Sequence, residues 1–169
     1  IKGLPRSPTD DLGWVRRLSE AVMVAVTPRG THYQRVQKGG KMMHDLGLIG
    51  GTFDRLHSGH LALIEEALTR CRELEIWITS DEIAKSKDNS VNSWQLRSTE
   101  LTQSLANESS RISLHVLEDD IGPSATHKSA TAIFCTEETL QKCKQINIIR
   151  SSNNLDELEI HCVSRISAG

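Results

Sequence analysis

Net charge is the first thing this sequence has little of. Twenty Lys and Arg stand against 22 Asp and Glu, a formal charge of −2 over 169 residues. No broad basic field exists to hold nucleic acid indiscriminately. A local phosphate pocket is still allowed, because a few well-placed cations do not require a basic chain. Cysteine is sparse as well. Cys71, Cys135, Cys143 and Cys162 form no C-x-x-C pair and no zinc-ribbon spacing. Three of them fall in apolar-periodic segments, which reads as reduced, packed thiols rather than disulfides or metal ligands. No apolar run approaches the roughly 20 residues of a membrane-spanning helix. The short run at residues 21–26 follows acidic Asp10 and Asp11 and lacks the features of a secretory signal. Internal repeats and low-complexity tracts are also missing. The expectation is a cytoplasmic protein with no membrane or nucleic-acid partner, long enough to bury one substantial core.

The first 41 residues differ from the rest and read as an extension of low structural weight. Two prolines lie in residues 1–8, residues 11–26 suit an amphipathic helix or a helix followed by a strand, and residues 27–41 read as a linker rich in glycine and lysine. Met42-Met43 is a natural start for a compact domain over 42–169.

From Leu46 the pattern is regular. Leu46-Gly47-Leu48-Ile49 predicts a short apolar strand ending in glycines. Leu61, Ile64, Leu68 and Cys71 recur at helical spacing, with Ser58 as N-cap. Leu74, Ile76 and Ile78 alternate as a strand, and a polar loop is expected over 79–92. Ser93 caps a helix carrying Trp94, Leu101 and Leu105; Ile112, Leu114 and Val116 alternate again. After a loop at 118–129, Ala132 to Cys135 reads as a buried strand, Leu140, Cys143 and Ile146 as a helix, and Leu158, Ile160 and Cys162 as a last strand. The order β-α-β-α-β and then β-α-β predicts an α/β fold, a parallel sheet with helices on both faces. Ligands in such folds collect at the carboxyl ends of the strands, where strand order reverses.

The chemistry is concentrated at residues 49–60, IGGTFDRLHSGH. Glycines after a strand let the backbone approach a ligand closely, and the next helix start offers unpaired N–H groups and a partial positive charge. Gly50-Gly51 followed by Ser58-Gly59-His60 is a physically sensible phosphate cradle. His57 and His60 are three apart and converge where loop becomes helix. Imidazoles aimed at phosphate oxygens add charge-assisted hydrogen bonds of about 1.5–3 kcal/mol each when desolvated. A metal held by the two histidines with Asp54 is the other chemistry this spacing allows, though no fourth-ligand pattern accompanies it. No role is assigned to His115 and His161, read on strands, or to His32, His44 and His127, read in loops.

The stretch resembles the nucleotidylyltransferase signature G-T-F-D-x-x-H-x-G-H, which implies a Rossmann-like parallel sheet. Later segments resemble one branch, the archaeal and eukaryotic type of phosphopantetheine adenylyltransferase. They are Thr79-Ser80-Asp81-Glu82 with Lys85, Trp94-Gln95-Leu96-Arg97, Asp120-Ile121-Gly122-Pro123, Thr136-Glu137-Glu138-Thr139, and Ile146 to Arg150. The resemblance covers residues 46–169. It implies adenylyl transfer from ATP to 4′-phosphopantetheine with Mg²⁺. Thr52, His57, His60 and Lys85 would be catalytic, and Gly50, Gly51, Phe53, Gly59, Glu138 and Arg150 would be nucleotide contacts. Thr52, Lys85 and Arg97 would hold the acceptor. Residue by residue, without the family pattern, Lys85 in a polar loop reads more readily as a solvated lysine, and Arg97 and Arg150 read as helix-surface charges. Glycerol-phosphate cytidylyltransferases and flavin mononucleotide adenylyltransferases share the first motif and remain alternatives. The family pattern also continues into I-S-S-T-R-I-R after its last strand, whereas the sequence given ends at Ser167-Ala168-Gly169. The expectation there is either a fragment or a chain lacking half of a triphosphate clamp, which keeps a non-catalytic nucleotide-binding module open.

Overall fold

The strand His44–Gly51 is buried over its first six residues, as a strand covered on both faces by helices must be. In the computed structural model, which describes residues 37–38, 41–119 and 121–164, it is the centre of the sheet. Chain order gives β1 (Gln37–Lys38), β2 (Lys41–Met42), β3 (His44–Gly51), α1 (Ser58–Arg70), β4 (Cys71–Thr79), α2 (Asp81–Lys87), α3 (Trp94–Ser104), β5 (Ile112–Leu117), α4 (Gly122–Thr126), β6 (Ala132–Cys135), α5 (Leu140–Ser152) and β7 (Glu159–Cys162). The expectations for residues 1–36 and 39–40, for Asp120 and for residues 165–169 lie outside the described residues.

Sheet order is β5-β4-β3-β6-β7, and every pairing in it is parallel. The chain therefore builds outward from β3 to β5, returns, and builds outward on the other side, which places the reversal of strand order between β3 and β6. Alternation along β3 separates the two cores. Ile49 packs with Leu63, Ile64, Ala67 and Leu68 of α1 and Trp94 and Leu101 of α3. Leu46 and Leu48 point the other way, to Ile133, Cys135 and the α5 residues Cys143 and Ile146. Each fully buried Leu or Ile contributes about 1.5–3 kcal/mol. The four cysteines are free thiols, and Cys162 alone among them is exposed. Burial pushes the Cys71 thiol up to about 12, so it is an inert packing group.

The sequence expectations hold for the sheet and for α1, α3 and α5, apart from the cap of α1 described with the site, and fail in four further places. Residues 79–92 are not all loop: Ser80 caps α2 by accepting from the Ile83 N–H at 3.2 Å. The expected loop at 118–129 contains α4. Within the expected linker, Gln37–Lys38 pairs antiparallel with Lys41–Met42. His44, read as a loop residue, opens β3 and is buried.

Three arginines hold the elements together by their carbonyls. Arg111 donates to the carbonyls of Leu68, Cys71 and Arg72, tying the start of β5 to the α1–β4 junction. Arg97 and Arg150 do the same beside the cavity described next.

Candidate active site

Beyond Gly51 the chain turns through Thr52 to Leu56 before α1 begins. Phe53 and Arg55 sit at φ of 53° and 48°, a left-handed conformation costing a side-chain-bearing residue about 1–3 kcal/mol. Packing offsets that strain. The Phe53 ring is buried in the core with Ile64 and Leu68. Arg55 is pinned by Nη1 to Asp54 Oδ2 at 2.6 Å and by Nη2 to the Ser90 carbonyl at 3.3 Å.

The cap of α1 is His57, one residue before the expected Ser58. Its Nδ1 accepts from the Gly59 N–H at 3.0 Å, and Nδ1 of His60 accepts from the His57 N–H at 3.3 Å. Glycine at 59 is what admits the ring, since a Cβ there would lie 2.9 Å from His57 Cε1. Because each Nδ1 is an acceptor, each neutral imidazole carries its proton on Nε2. The rings stack with centroids 3.9 Å apart. Burial, reinforced by His57 and opposed by Asp54, pushes His60 down to about 4. His60 is thus a neutral donor at physiological pH.

These groups open on a cavity of about 430 Å³ at the carboxyl ends of β3 and β6. Of the residues expected from sequence, Gly50, Gly51, Thr52, Phe53, His57, Gly59, His60 and Glu138 line it. The Thr79 hydroxyl donates to Thr52 Oγ1 at 3.1 Å, which leaves Thr52 its own O–H proton for a ligand.

Three expected contacts are placed elsewhere. Arg97 has no exposed surface. Its Nη1 donates to the carbonyls of Thr52 and Thr79, both at 2.9 Å, Nε to that of Asn92 at 2.8 Å, and Nη2 to Asp81 Oδ1 at 3.2 Å. Its guanidinium is spent on the loop rather than on a substrate. Arg150 is likewise buried, donating to the carbonyls of Asp156, Ser124 and His127. Lys85 is exposed on α2 and outside the cavity lining. The cationic side chains that do line it, Lys87 and Lys142, were missed, as was Thr79. The signal for Lys87 was available: Ser80-Asp81-Glu82 is an N-cap followed by acids, and lysines at 85 and 87 suit a helix end. Asp54 does not join the histidines around a metal, because its oxygens accept from Arg55 and Asn92. Among the described residues, three His, Cys, Asp or Glu ligand atoms converge only at His44, Glu159 and His161.

A glycine-ended strand, a helix start bearing two imidazoles and flanking lysines meet at a strand-order reversal, the place where α/β folds collect anionic ligands. The cytidylyltransferase-like family matches residues 48–164, and the chain belongs to it. Within that family it is similar to the phosphopantetheine adenylyltransferase of Methanothermobacter thermautotrophicus, with 31% identity over 128 residues covering 76% of this chain and 78% of that protein. Identity to the phosphopantetheine adenylyltransferase of Thermococcus gammatolerans is also 31%, over 124 residues, 72% of this chain and 78% of that protein. A crystal structure of a protein of unknown function from Archaeoglobus fulgidus shares the fold, with a TM-score of 0.64 at 22% identity over 73% of this chain and 99% of that one.

Proposed function

We propose that this chain transfers the adenylyl group of ATP to 4′-phosphopantetheine, giving dephospho-coenzyme A and pyrophosphate. The observation that carries the reading is the backbone-locked pair His57 and His60, whose Nε2–H groups are the donors left for the cavity they line. The acceptor comes from the similarity to adenylyltransferases named for phosphopantetheine.

The acceptor's phosphate oxygen attacks the α-phosphorus in line; the bond from that phosphorus to the bridging oxygen breaks, and pyrophosphate leaves with the electron pair. A phosphate monoester is already anionic at neutral pH, so no covalent enzyme intermediate is needed. The protein supplies position and charge. Thr52 orients the acceptor phosphate, its hydroxyl set by Thr79. His57 and His60 bind the nucleotide phosphates and stabilise the charge that develops there. Lys87, which lines the cavity, takes the charge-neutralising role that the family pattern gives to Lys85.

Among the described residues, the oxygens of Asp54, which lines this cavity, are engaged by Arg55 and Asn92. Magnesium would be carried on phosphate and water oxygens, where it would neutralise charge. Free thiols at all four cysteines suit a reducing compartment, the cytoplasm by default.

Pyrophosphate release tests the proposal. ATP with 4′-phosphopantetheine is expected to be turned over, and CTP with glycerol phosphate or ATP with flavin mononucleotide is not. Selective use of either other pair would overturn the assignment. ATP raising the melting temperature with no release from any pair would make the chain a binding module.

A further inference from the structure

Between the start of β3 and the edge strand β7, three donor atoms meet that the proposed reaction does not use. His44 Nε2 lies 3.2 Å from His161 Nε2 and 3.4 Å from Glu159 Oε2, and His161 Nε2 lies 2.7 Å from that same oxygen. We propose that His44, Glu159 and His161 bind a divalent cation of the zinc class, fastening the edge strand β7 to the central strand β3.

The geometry fits the ion. A triangle with these edges has a circumscribed radius of about 1.8 Å, so an ion at the ~2.0–2.1 Å of zinc–nitrogen and zinc–oxygen bonds sits about 1 Å out of its plane. The edges of a regular tetrahedral site at those bond lengths are ~3.3–3.4 Å, close to two of the three observed. The third is a hydrogen bond that would lengthen by about 0.6 Å as the ion replaces its proton. Two imidazoles and one carboxylate with a fourth position left to water is a zinc-type donor set, whereas magnesium prefers oxygen ligands.

The surroundings hold the ligands in place. His44 Nδ1 is 2.9 Å from Thr131 Oγ1. In the tautomer that donates Nδ1–H to Thr131, the Nε2 lone pair and the Glu159 oxygen face each other, two electron-rich atoms that a cation reconciles. Such an outer partner is the usual companion of a metal-ligating histidine. Thr131 also donates its N–H to Leu46 O and accepts from the Glu159 N–H, so one residue registers both strands that supply ligands. The His161 ring stacks on Phe134 at 5.0 Å. Phe134 in turn lies over Gly47, where a Cβ would stand 2.6 Å from Phe134 Cε2. Glu66 and Arg70 of α1 also act on His161, but they are paired at 2.8 Å and add little net charge. Exposure is graded to suit: the side chain of His44 is 4% exposed, His161 18% and Glu159 56%, leaving the open position toward solvent.

His44 stands six residues before Gly50 on β3, about 20 Å at ~3.3 Å per residue, and none of the three ligands lines the phosphate cavity, although Phe134 touches both His161 and that cavity. The test uses the full chain stripped of metal by chelation, then titrated with Co²⁺ and Zn²⁺. The expected result is one site per chain, with visible cobalt bands of tetrahedral intensity that Zn²⁺ displaces, and a rise in melting temperature with Zn²⁺. Glu159→Gln and His161→Ala should each weaken binding at least tenfold, while His57→Asn should leave the bands intact. Glu159 is exposed, so its variant reads out even if the histidine variant fails to fold. Absence of the bands, their persistence in Glu159→Gln, or their loss in His57→Asn would each overturn the proposal.

Discussion

Arg97 Nη1 donates to the carbonyl oxygen of Thr52 across 2.9 Å. A buried cation on α3 thus fixes the residue that follows the glycine pair, and the shape of the phosphate loop depends on a helix far along the chain. Burial pulls the Arg97 pKa down and Asp81 opposes it, and the guanidinium stays charged.

Arg97→Ala should destabilise the fold by about 3 kcal/mol or more, since the carbonyls of Thr52, Thr79 and Asn92 lose this donor at ~1–3 kcal/mol for each buried acceptor left unpaired. Chemical denaturation measures this. Arg97→Lys, which keeps the charge but not the fork, should fold and show a lower kcat for pyrophosphate release through a misplaced Thr52. Full turnover in Arg97→Lys would show that the loop holds its own shape.

His57 both caps α1 and offers Nε2–H to the cavity, and one substitution separates the roles. Asparagine is a good N-cap, so His57→Asn should melt near the parent temperature yet lose ~10²–10³ in turnover. His60→Ala should lose as much while remaining folded. Near-normal turnover in both would remove the histidines from the chemistry.

Stability should fall on mild acidification. His115 is fully buried, 2.8 Å from Ser113 Oγ and stacked on Trp77. Burial pushes it down to about 4, against the pull of Glu75 and with His127 adding repulsion. Its folded pKa lies below its unfolded one, so the unfolded chain takes up the proton first, and stability is lost as pH falls from about 6.5 through about 4. The loss is as much as ~3 kcal/mol from this residue. His60 is shifted the same way. At Glu75, burial disfavours the charge, but the hydrogen bond from His127, with further support from His115 and Trp77, outweighs it and lowers the pKa. That contribution is present above the ordinary carboxylate value and is lost at still lower pH. Urea unfolding between pH 7 and 4.5 should show the slope, and His115→Gln should flatten it; equal slopes would exclude His115 as its source.

Gly47→Ala should destabilise by about 1–3 kcal/mol, because its Cβ meets the Phe134 ring at 2.6 Å. Thermal melting checks this. Phe134→Leu in the same chain should recover part of the loss if the ring is the obstacle.

What could be read in the sequence follows from range. The strands at Leu46 to Ile49 and Leu74 to Ile78, and helix α1, show in local periodicity because each buries positions that recur at its own repeat, whatever packs against them. Gly50, Gly51, Thr52, His57 and His60 were legible because one twelve-residue stretch carries them all. Arg97 and Arg150 were not. Whether an arginine faces solvent, a ligand or a set of carbonyls depends on backbone as much as 45 residues away, and no local pattern records that. Lys85 and Lys87 differ only by the helical phase of α2, which stayed hidden while residues 79–92 read as loop. His44 and His161 are 117 positions apart, and only the sheet order β3-β6-β7 brings them within reach.

The grip of Arg97, Arg111 and Arg150 on main-chain oxygens has a consequence for how such a sequence can drift. A carbonyl is the same group whatever side chain stands beside it. Asn92, Asp156 and Ser124 can therefore be exchanged without loosening the clamp, provided the arginine remains. The loop's shape is thus insulated from most substitutions in the segments that frame it, and a small number of buried cations carries the risk instead.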